Sequence, residues 1–259
     1  MAKIIALANQ KGGVGKTTTC VNLTAALHAK GCRVLLCDMD PQGHASIGFG
    51  INKRDGKASV YDVLVNSADI NEVIRKTPYG DLLSANTDLA GAEVEMISLE
   101  NRHYMLRDAL SSIRKNYDYI LIDCPPSLGQ LTINALCASD TVLVPVDCGF
   151  YALEGLSALT ATMATLRRGL NEHLEIEGVL LTMFDTRTNL AVQIAQEVKR
   201  FFPGKVFATA IPRNVRLAEA PSHGKPINEY DRFSRGAECY ALLAEELLQK
   251  NGKEQELIK

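Results

Sequence analysis

Residues 4–19 of the chain read IIALANQKGGVGKTTT, and this stretch decides the fold. A short apolar run is followed by a loop with three glycines, after which Lys16 and Thr17 open a segment with helical spacing of apolar residues. Glycines let backbone N–H groups converge on a phosphate, and the amino end of a helix adds a partial positive charge. The stretch therefore predicts a strand, a phosphate-binding loop and a helix.

The side chains of this loop suit a nucleoside triphosphate. Lys16 can reach the terminal phosphates, and the Thr17 hydroxyl can ligate Mg²⁺. The common phosphate-loop pattern requires a glycine at position 10, where this chain has Gln10. In its place the chain carries an additional cation, Lys11, at the start of the loop.

Beyond the loop, short runs rich in Val, Ile and Leu alternate with segments of helical periodicity. Runs such as YILI at 119–122 do not alternate with polar residues, as expected of parallel strands covered on both faces. We therefore predict an α/β fold: a doubly wound, mostly parallel sheet with helices on both faces. The predicted strands are 4–8, 33–38, 81–85, 118–123, 141–146, 178–183 and 205–211, and the predicted helices are 16–29, 60–75, 103–116, 130–138, 153–170, 189–202 and 235–250.

The composition fits one globular domain over residues 1–259, with a short polar tail from about residue 250. Of the 259 residues, 46% are hydrophobic and 22% are charged, which excludes a disordered or coiled-coil protein. The seven cysteines form no C-x-x-C pair, and the sequence has neither a signal-peptide pattern nor an apolar run long enough to span a membrane. These features predict a cytoplasmic protein with reduced thiols and no membrane association.

Three carboxylates follow predicted strands. Asp38 and Asp40 lie in LLCDMDPQG (35–43), where Pro41 stops the strand, and Asp123 ends the apolar run ILID (120–123). Doubly wound sheets bind ligands beyond the carboxyl ends of their strands. In phosphate-loop enzymes an acid of this kind holds the hydration shell of Mg²⁺, and a second polar group orients the attacking water.

Together these segments resemble the ParA family of chromosome and plasmid partition ATPases, in its Soj-like branch, whose phosphate loop deviates from the common pattern. The similarity covers almost the whole chain to about residue 250. The matching segments are KGGVGKT (11–17), DMDPQG (38–43), DCPPS (123–127), YALEG (151–155), RTN (187–189) and IPRNVRLAEAPS (211–222).

The resemblance implies ATP and Mg²⁺ as cofactors and a homodimer that sandwiches two ATP molecules. Lys11 would reach the ATP of the partner chain, Lys16 would act on the phosphates, and Asp40 would orient the hydrolytic water. The remaining implied roles are nucleotide binding by Gly12, Gly13, Val14, Gly15, Thr17 and Thr18, support of Mg²⁺ by Thr17, Asp38 and Asp123, and adenine contacts by Met183, Pro212 and Asn214.

A local basic segment predicts DNA binding although the formal net charge of the chain is −2. Residues 187–235 contain nine Lys or Arg residues and four Asp or Glu residues. Without a base-reading motif, such a patch predicts binding to double-stranded DNA that is independent of sequence. The candidate contacts are Arg187, Lys199, Arg200 and Arg216, of which the family resemblance singles out Arg187 and Arg216.

The predicted function is an ATP-dependent dimerising switch that binds DNA on the nucleoid and drives chromosome or plasmid partition with a ParB/Spo0J-like centromere-binding protein. The resemblance implies slow, partner-stimulated ATP hydrolysis. One alternative is a MinD-like membrane-positioning ATPase, which would end in a basic amphipathic helix, whereas residues 247–259 are mixed in charge.

Two further alternatives remain. An electron-transfer iron protein of the nitrogenase-reductase type would need cysteine ligands, and neither Cys124 nor Cys137 is clearly placed for that role. A dinucleotide dehydrogenase would fit Gly13-Val14-Gly15 with Asp38 as the ribose-binding acid, but Thr18 replaces its third glycine. The choice between chromosome and plasmid as cargo stays open.

Overall fold

The computed structural model describes residues 1–52 and 55–257, with side chains as far as residue 252. Seven strands of the described chain form one sheet in the order β3-β4-β2-β5-β1-β6-β7. Every neighbouring pair is parallel except β3 and β4. The strands are β1 (Lys3–Leu7), β2 (Val34–Asp38), β3 (Arg75–Thr77), β4 (Gly80–Leu83), β5 (Tyr119–Asp123), β6 (Thr141–Asp147) and β7 (Glu175–Thr182).

Helices cover both faces of the sheet. Alternate side chains of β1 enter different cores, Ile4 and Ala6 on one face and Ile5 and Leu7 on the other. Residues of α3 to α9 build the first core, and residues of α1, α2 and α10 to α12 build the second. The helices are α1 (Lys16–Ala29), α2 (His44–Gly48), α3 (Val60–Leu64), α4 (Ile70–Val73), α5 (Leu89–Glu95), α6 (Met105–Ile113), α7 (Gln130–Ala138), α8 (Ala152–Gly169), α9 (Asn189–Phe201), α10 (Val215–Glu219), α11 (Ile227–Tyr230) and α12 (Arg235–Leu257).

The predicted fold class is confirmed, and six of the seven predicted strands coincide with observed ones. The predicted helix 235–250 continues to Leu257 as α12, so the first residues of the predicted polar tail are helical. Residues 258–259 of that tail lie outside the described residues. Among the helices of the described chain, none has the length and apolar character needed to cross a membrane.

The prediction of one helix over residues 60–75 is wrong. Ser59 and Asp62 form a capping box that starts α3, but the chain turns at Ser67, whose φ is 56°. Asp69 then caps a second short helix, α4, through a bond from the Asn71 backbone N–H to its side chain. The following residues form β3, an antiparallel edge strand. Local polar side chains thus compete with the helical backbone and break the predicted helix in two.

The predicted strand 205–211 is also absent as a regular strand. Its segment follows the edge of β7, with Phe207 N–H donating to Val179 O at 3.0 Å and Ile211 N–H donating to Leu181 O at 2.8 Å. Between these bonds, the amides of Ala208 and Thr209 donate to the Glu246 carboxylate of α12 at 2.6 and 2.9 Å. Glu246 therefore takes the Thr209 amide, which a regular ladder with β7 would have used, together with the adjacent Ala208 amide.

Candidate functional site

A cleft of about 520 Å³ opens where the loops after β1, β2, β5 and β7 meet. This is the end of a doubly wound sheet at which ligands bind. Its walls bring together most of the predicted phosphate-loop residues and all three predicted adenine contacts. The lining residues are Gly12, Gly13, Gly15, Lys16, Thr17, Thr18, Asp40, Gln42, His44, Pro126, Thr182, Met183, Ile211, Pro212, Arg213, Asn214, Leu217, Ala218 and Tyr240.

The glycine loop takes a conformation that requires glycine at two positions. Gly13 has φ 75° and Gly15 has φ 85°, both in the left-handed region, and α1 begins directly afterwards at Lys16. Val14 is buried, and its carbonyl accepts a hydrogen bond of 2.8 Å from the Thr182 hydroxyl at the end of β7. Val14 therefore anchors the loop, while its glycine neighbours face the cleft.

Lys16 contributes a buried cation to the cleft floor. The residue is 6% exposed, and its Nζ donates to the Lys11 carbonyl at 3.2 Å. Burial lowers the pKa of the Lys16 ammonium, whereas the nearby charges of Asp123 and Asp40 raise it. Because an ammonium without an anion partner is costly in this setting, the site favours a ligand that carries negative charge.

Asp123 and Asp38 form a buried acidic pair next to this cation. They are register partners at the ends of β5 and β2, and both are fully buried. Burial, followed by the charge of Asp38, raises the pKa of Asp123 well above its usual value, and the Thr17 hydroxyl and the Lys16 charge oppose that rise. Among the described residues, neither carboxylate oxygen of Asp123 has a hydrogen-bond partner of standard geometry.

Asp38 is more heavily engaged in the protein itself. Its Oδ2 accepts hydrogen bonds from the backbone N–H and hydroxyl of Ser46 at 2.8 and 2.7 Å, and its Oδ1 accepts from the Asp40 N–H at 3.2 Å. Burial raises the pKa of Asp38 to about 6, and the bonds from Ser46 oppose the rise. Asp38 thus fixes the loop that presents Asp40, whose Oδ1 accepts from the Gln42 N–H at 2.9 Å.

These residues fit a magnesium ion that is held largely through water and phosphate. Within the described residues, no group of three or more His, Cys, Asp or Glu side chains is arranged as a metal cage. Mg²⁺ usually keeps several waters and takes one or two protein ligands besides substrate phosphates. The Asp123 carboxylate, with the Thr17 hydroxyl beside it, matches that donor set.

The far wall of the cleft carries the predicted adenine contacts. Met183 follows β7 with φ 49°, a left-handed conformation that is rare for a residue with a side chain. Phe184 pairs with Pro212 in an isolated bridge, and Asn214 caps α10 by accepting from the Leu217 N–H at 3.2 Å. The turn at Met183 brings the end of β7 against residues 211–214.

Lys11 lies outside the wall of its own cleft. Its Nζ makes a bidentate ion pair with Asp147 at 2.9 and 2.8 Å, at the end of β6. The Lys11 backbone N–H donates to the Asn9 side chain at 3.0 Å, and Asn9 in turn donates to the Pro145 carbonyl at 2.8 Å. The additional cation of the loop is therefore oriented toward the β6 side of the molecule.

The structure does not bring the four predicted DNA contacts together. Residues 184 and 212 are paired, so Arg187 and Arg216 belong to neighbouring segments beside the cleft. Lys199 and Arg200 lie in the last turn of α9, about 20 Å from Arg187 at 1.5 Å per residue. The four predicted contacts therefore fall into two groups, Arg187 with Arg216 and Lys199 with Arg200.

Several cleft residues were missed by the sequence analysis. Thr182 ends β7, so the strand-end rule that found Asp123 would have identified it. Gln42, His44 and Arg213 stand within or beside the recognised motifs. Tyr240 gives no local signal, because its hydroxyl meets Thr19 of α1 from a helix more than 200 residues away, at 3.2 Å.

Three features together define a phosphate-loop nucleoside triphosphatase: a glycine loop that leads into a helix, a buried lysine, and a buried acid at an adjacent strand end. A family model described as an AAA domain matches residues 2–176. The chain is 58% identical over 249 residues to the sporulation initiation inhibitor protein Soj of Bacillus subtilis, covering 95% of this chain and 98% of that protein. It is 51% identical to the chromosome partitioning protein ParA of Myxococcus xanthus, covering 97% and 89%. The chain belongs to the Soj/ParA family of chromosome-partitioning ATPases.

Solved structures extend this comparison. Cobyrinic acid a,c-diamide synthase from Mycobacterium smegmatis, with bound ADP and magnesium, is 36% identical with a TM-score of 0.84 and covers 96% of this chain and 95% of that chain. The cell division ATPase MinD of Pyrococcus furiosus is 25% identical with a TM-score of 0.80, covering 96% and 99%. At the level of the family, the predicted ATPase activity and its cofactors, ATP and Mg²⁺, are confirmed.

Proposed function

We propose that this chain is an ATP-dependent dimerising switch that binds double-stranded DNA without sequence preference and drives chromosome or plasmid partition. The observation that carries the proposal is the position of Lys11. This second phosphate-loop cation is absent from the wall of its own cleft and pairs with Asp147 on the β6 side. In a face-to-face homodimer, Lys11 would leave Asp147 and bind the phosphates of the ATP held by the partner.

Each chain would then provide the groups for hydrolysis at its own cleft. Lys16 and the loop N–H groups would bind the phosphates, Asp40 would orient the attacking water, and Thr17 with Asp123 would hold Mg²⁺. The metal supplies charge neutralisation at the phosphates. Without a further cationic group from a partner, enzymes of this class turn over at roughly 10⁻⁴–10⁻² s⁻¹. Stimulation by a ParB/Spo0J-like protein fits such a slow basal rate.

Dimerisation would also double the positive surface that faces DNA. Arg187 and Arg216 lie beside the cleft, so the assembly of two chains would place four arginines on one complex. Phosphate contacts of this kind act independently of sequence, with a slope of about −0.9 per neutralised phosphate on a log–log salt plot. The switch would therefore associate with the nucleoid when ATP is bound.

Size-exclusion chromatography of the Asp40→Ala variant tests this function. We expect a monomer without nucleotide, a stable dimer with ATP and Mg²⁺, and a shift to higher mass when random-sequence duplex DNA is added. In the same background, Arg187→Glu or Arg216→Glu should abolish the DNA shift and leave the dimer intact. A protein that stays monomeric in saturating ATP would refute the proposal, and ATP-dependent flotation with liposomes would favour the MinD-like alternative.

A further inference from the structure

Both arginines that are proposed to bind DNA beside the cleft are already bound to carboxylates of the same chain. Arg187 Nε and Nη2 pair with Asp185 at 2.9 and 2.7 Å, and its backbone N–H donates to Asp185 Oδ1 at 3.0 Å. The Arg187 side chain is 86% exposed, so this contact faces solvent. Asp185 thus occupies the donor fork that a phosphate would use.

Arg216 lies between two acids. Its Nη1 pairs with Glu219 at 2.9 Å, and its Nε lies 3.5 Å from Asp231. Glu219 also accepts a hydrogen bond of 3.2 Å from the Tyr230 hydroxyl, which holds the carboxylate in place. The Arg216 guanidinium is therefore balanced by its own surroundings in a single chain.

Arg187 and Arg216 differ in this respect from the other two predicted DNA contacts. Lys199 and Arg200 make no ion pair with any residue that the structure describes. The Arg187 guanidinium, with a contribution from Arg213, lowers the pKa of Asp185 to about 2. Asp185 consequently stays charged over the physiological pH range, and its contact with Arg187 is not released by protonation.

We propose that Asp185 and Glu219 are internal counter-ions that keep the DNA affinity of a single chain low, so that stable DNA binding requires the two copies joined by ATP. Carboxylate and phosphate present the same bidentate geometry to a guanidinium and therefore compete for it. DNA must displace each acid or lie beside its negative charge. This inference rests on the proposed function and adds a reason why a monomer would not remain on DNA.

The test measures DNA binding of the full chain without nucleotide and with ATP and Mg²⁺, by fluorescence anisotropy with a random-sequence duplex. Asp185→Asn keeps an oxygen that can accept from the Arg187 backbone N–H, and Glu219→Gln keeps one that can accept from the Tyr230 hydroxyl. Each substitution therefore preserves the local hydrogen bond. We expect each substitution to tighten nucleotide-free binding by about three- to fivefold, the strength of a well-formed exposed ion pair. The double variant should tighten it about tenfold or more and reduce its dependence on ATP.

The control Glu72→Gln/Glu100→Gln removes the same charge from exposed sites away from the cleft and should change binding less than twofold. If the wild-type chain with ATP binds DNA, either of two results would overturn the counter-ion inference. One is equal tightening of DNA binding in the control, and the other is an unchanged DNA affinity of the double variant. Wild-type protein that dimerised with ATP but bound no DNA would instead refute the proposed DNA function and this inference with it. Unchanged ATP affinity and circular dichroism would show that the variants are folded.

Discussion

Burial of the Asp123 carboxylate destabilises the nucleotide-free folded chain, although the same carboxylate is suited to hold Mg²⁺. Its carboxylate is fully buried with no standard hydrogen-bond partner among the described residues, which is costly for the ionised form. Since its pKa is raised in the folded state, the folded chain binds the Asp123 proton more tightly than the unfolded chain does. The stability that this provides at low pH is lost as the pH rises through the raised value.

We therefore expect Asp123→Asn to raise the free energy of unfolding of the nucleotide-free protein at pH 8 by about 1–3 kcal/mol, with a smaller gain at pH 5. Thermal unfolding in EDTA measures this effect, and nucleotide titration should show loss of Mg²⁺-dependent ATP binding. Glu100→Gln, a carboxylate-to-amide change at an exposed position, serves as a control and should change stability by less than about 0.5 kcal/mol. A variant less stable than wild type at pH 8 would contradict this reading of Asp123.

At the scale of elements, the junction between β7 and residues 205–211 depends on the absence of one side chain. A Cβ on Gly178 would lie 2.4 Å from Phe207 Cε2, closer than such atoms can approach. The Phe207 ring thus packs directly over the β7 backbone, and the bond from its N–H to Val179 O fixes it there. Gly178 is required because of this close approach and not because of an unusual φ angle.

Gly178→Ala should lower the free energy of unfolding by about 1–3 kcal/mol, as overpacking usually does. Urea denaturation provides the measurement. Gly169→Ala is the matched control, because a Cβ at that position would meet nothing within 4 Å. In the Gly178→Ala background, Phe207→Leu should recover part of the loss, and a double variant whose losses simply add would argue against direct contact between the two positions.

The sequence predicted those elements whose signal is local. Apolar runs marked β1, β2, β5 and β6, and the glycine loop with its Lys-Thr pair located α1 and the phosphate site. The features that the sequence predicts wrongly or does not show depend on contacts between residues that are distant in the sequence. The strand 205–211 lost its regular ladder to Glu246, which lies 38 residues beyond Ala208, and nothing near Lys11 in sequence indicated Asp147. Sequence spacing predicts a single basic patch because it does not show that the length of α9 separates Arg187 from Lys199 and Arg200.

At the scale of the whole molecule, Gly12 offers a way to separate nucleotide binding from dimerisation. A Cβ at Gly12 would lie 3.9 Å from Pro126 Cβ, an ordinary contact, and Gly12 has no left-handed φ. Its own chain therefore has room for a side chain at this position. The loop also faces the proposed partner, where two copies would approach across the bound ATP.

We expect Gly12→Val to fold and to bind ATP with an affinity within about threefold of wild type. The variant should nevertheless remain monomeric, because the valine side chain would prevent the close packing of the two loops on which the dimer interface depends. Light scattering in the Asp40→Ala background, with ATP and Mg²⁺, measures the dimer. Gly13→Val is the comparison, since its φ of 75° is strained for valine and should impair nucleotide binding itself. A Gly12→Val protein that dimerises at the same ATP concentration as its parent would contradict the proposed interface.

The segment along the edge of β7 also affects how copies of the chain can associate. An uncovered strand at the border of a sheet invites strands from other molecules and can seed fibrous growth. Here residues 205–211 bind backbone N–H and C=O groups on that border of β7, and Glu246 accepts from the amides of Ala208 and Thr209 in the covering segment. Strands of other copies therefore have little access to the β7 border, so aggregation by strand addition is disfavoured at this edge of the sheet.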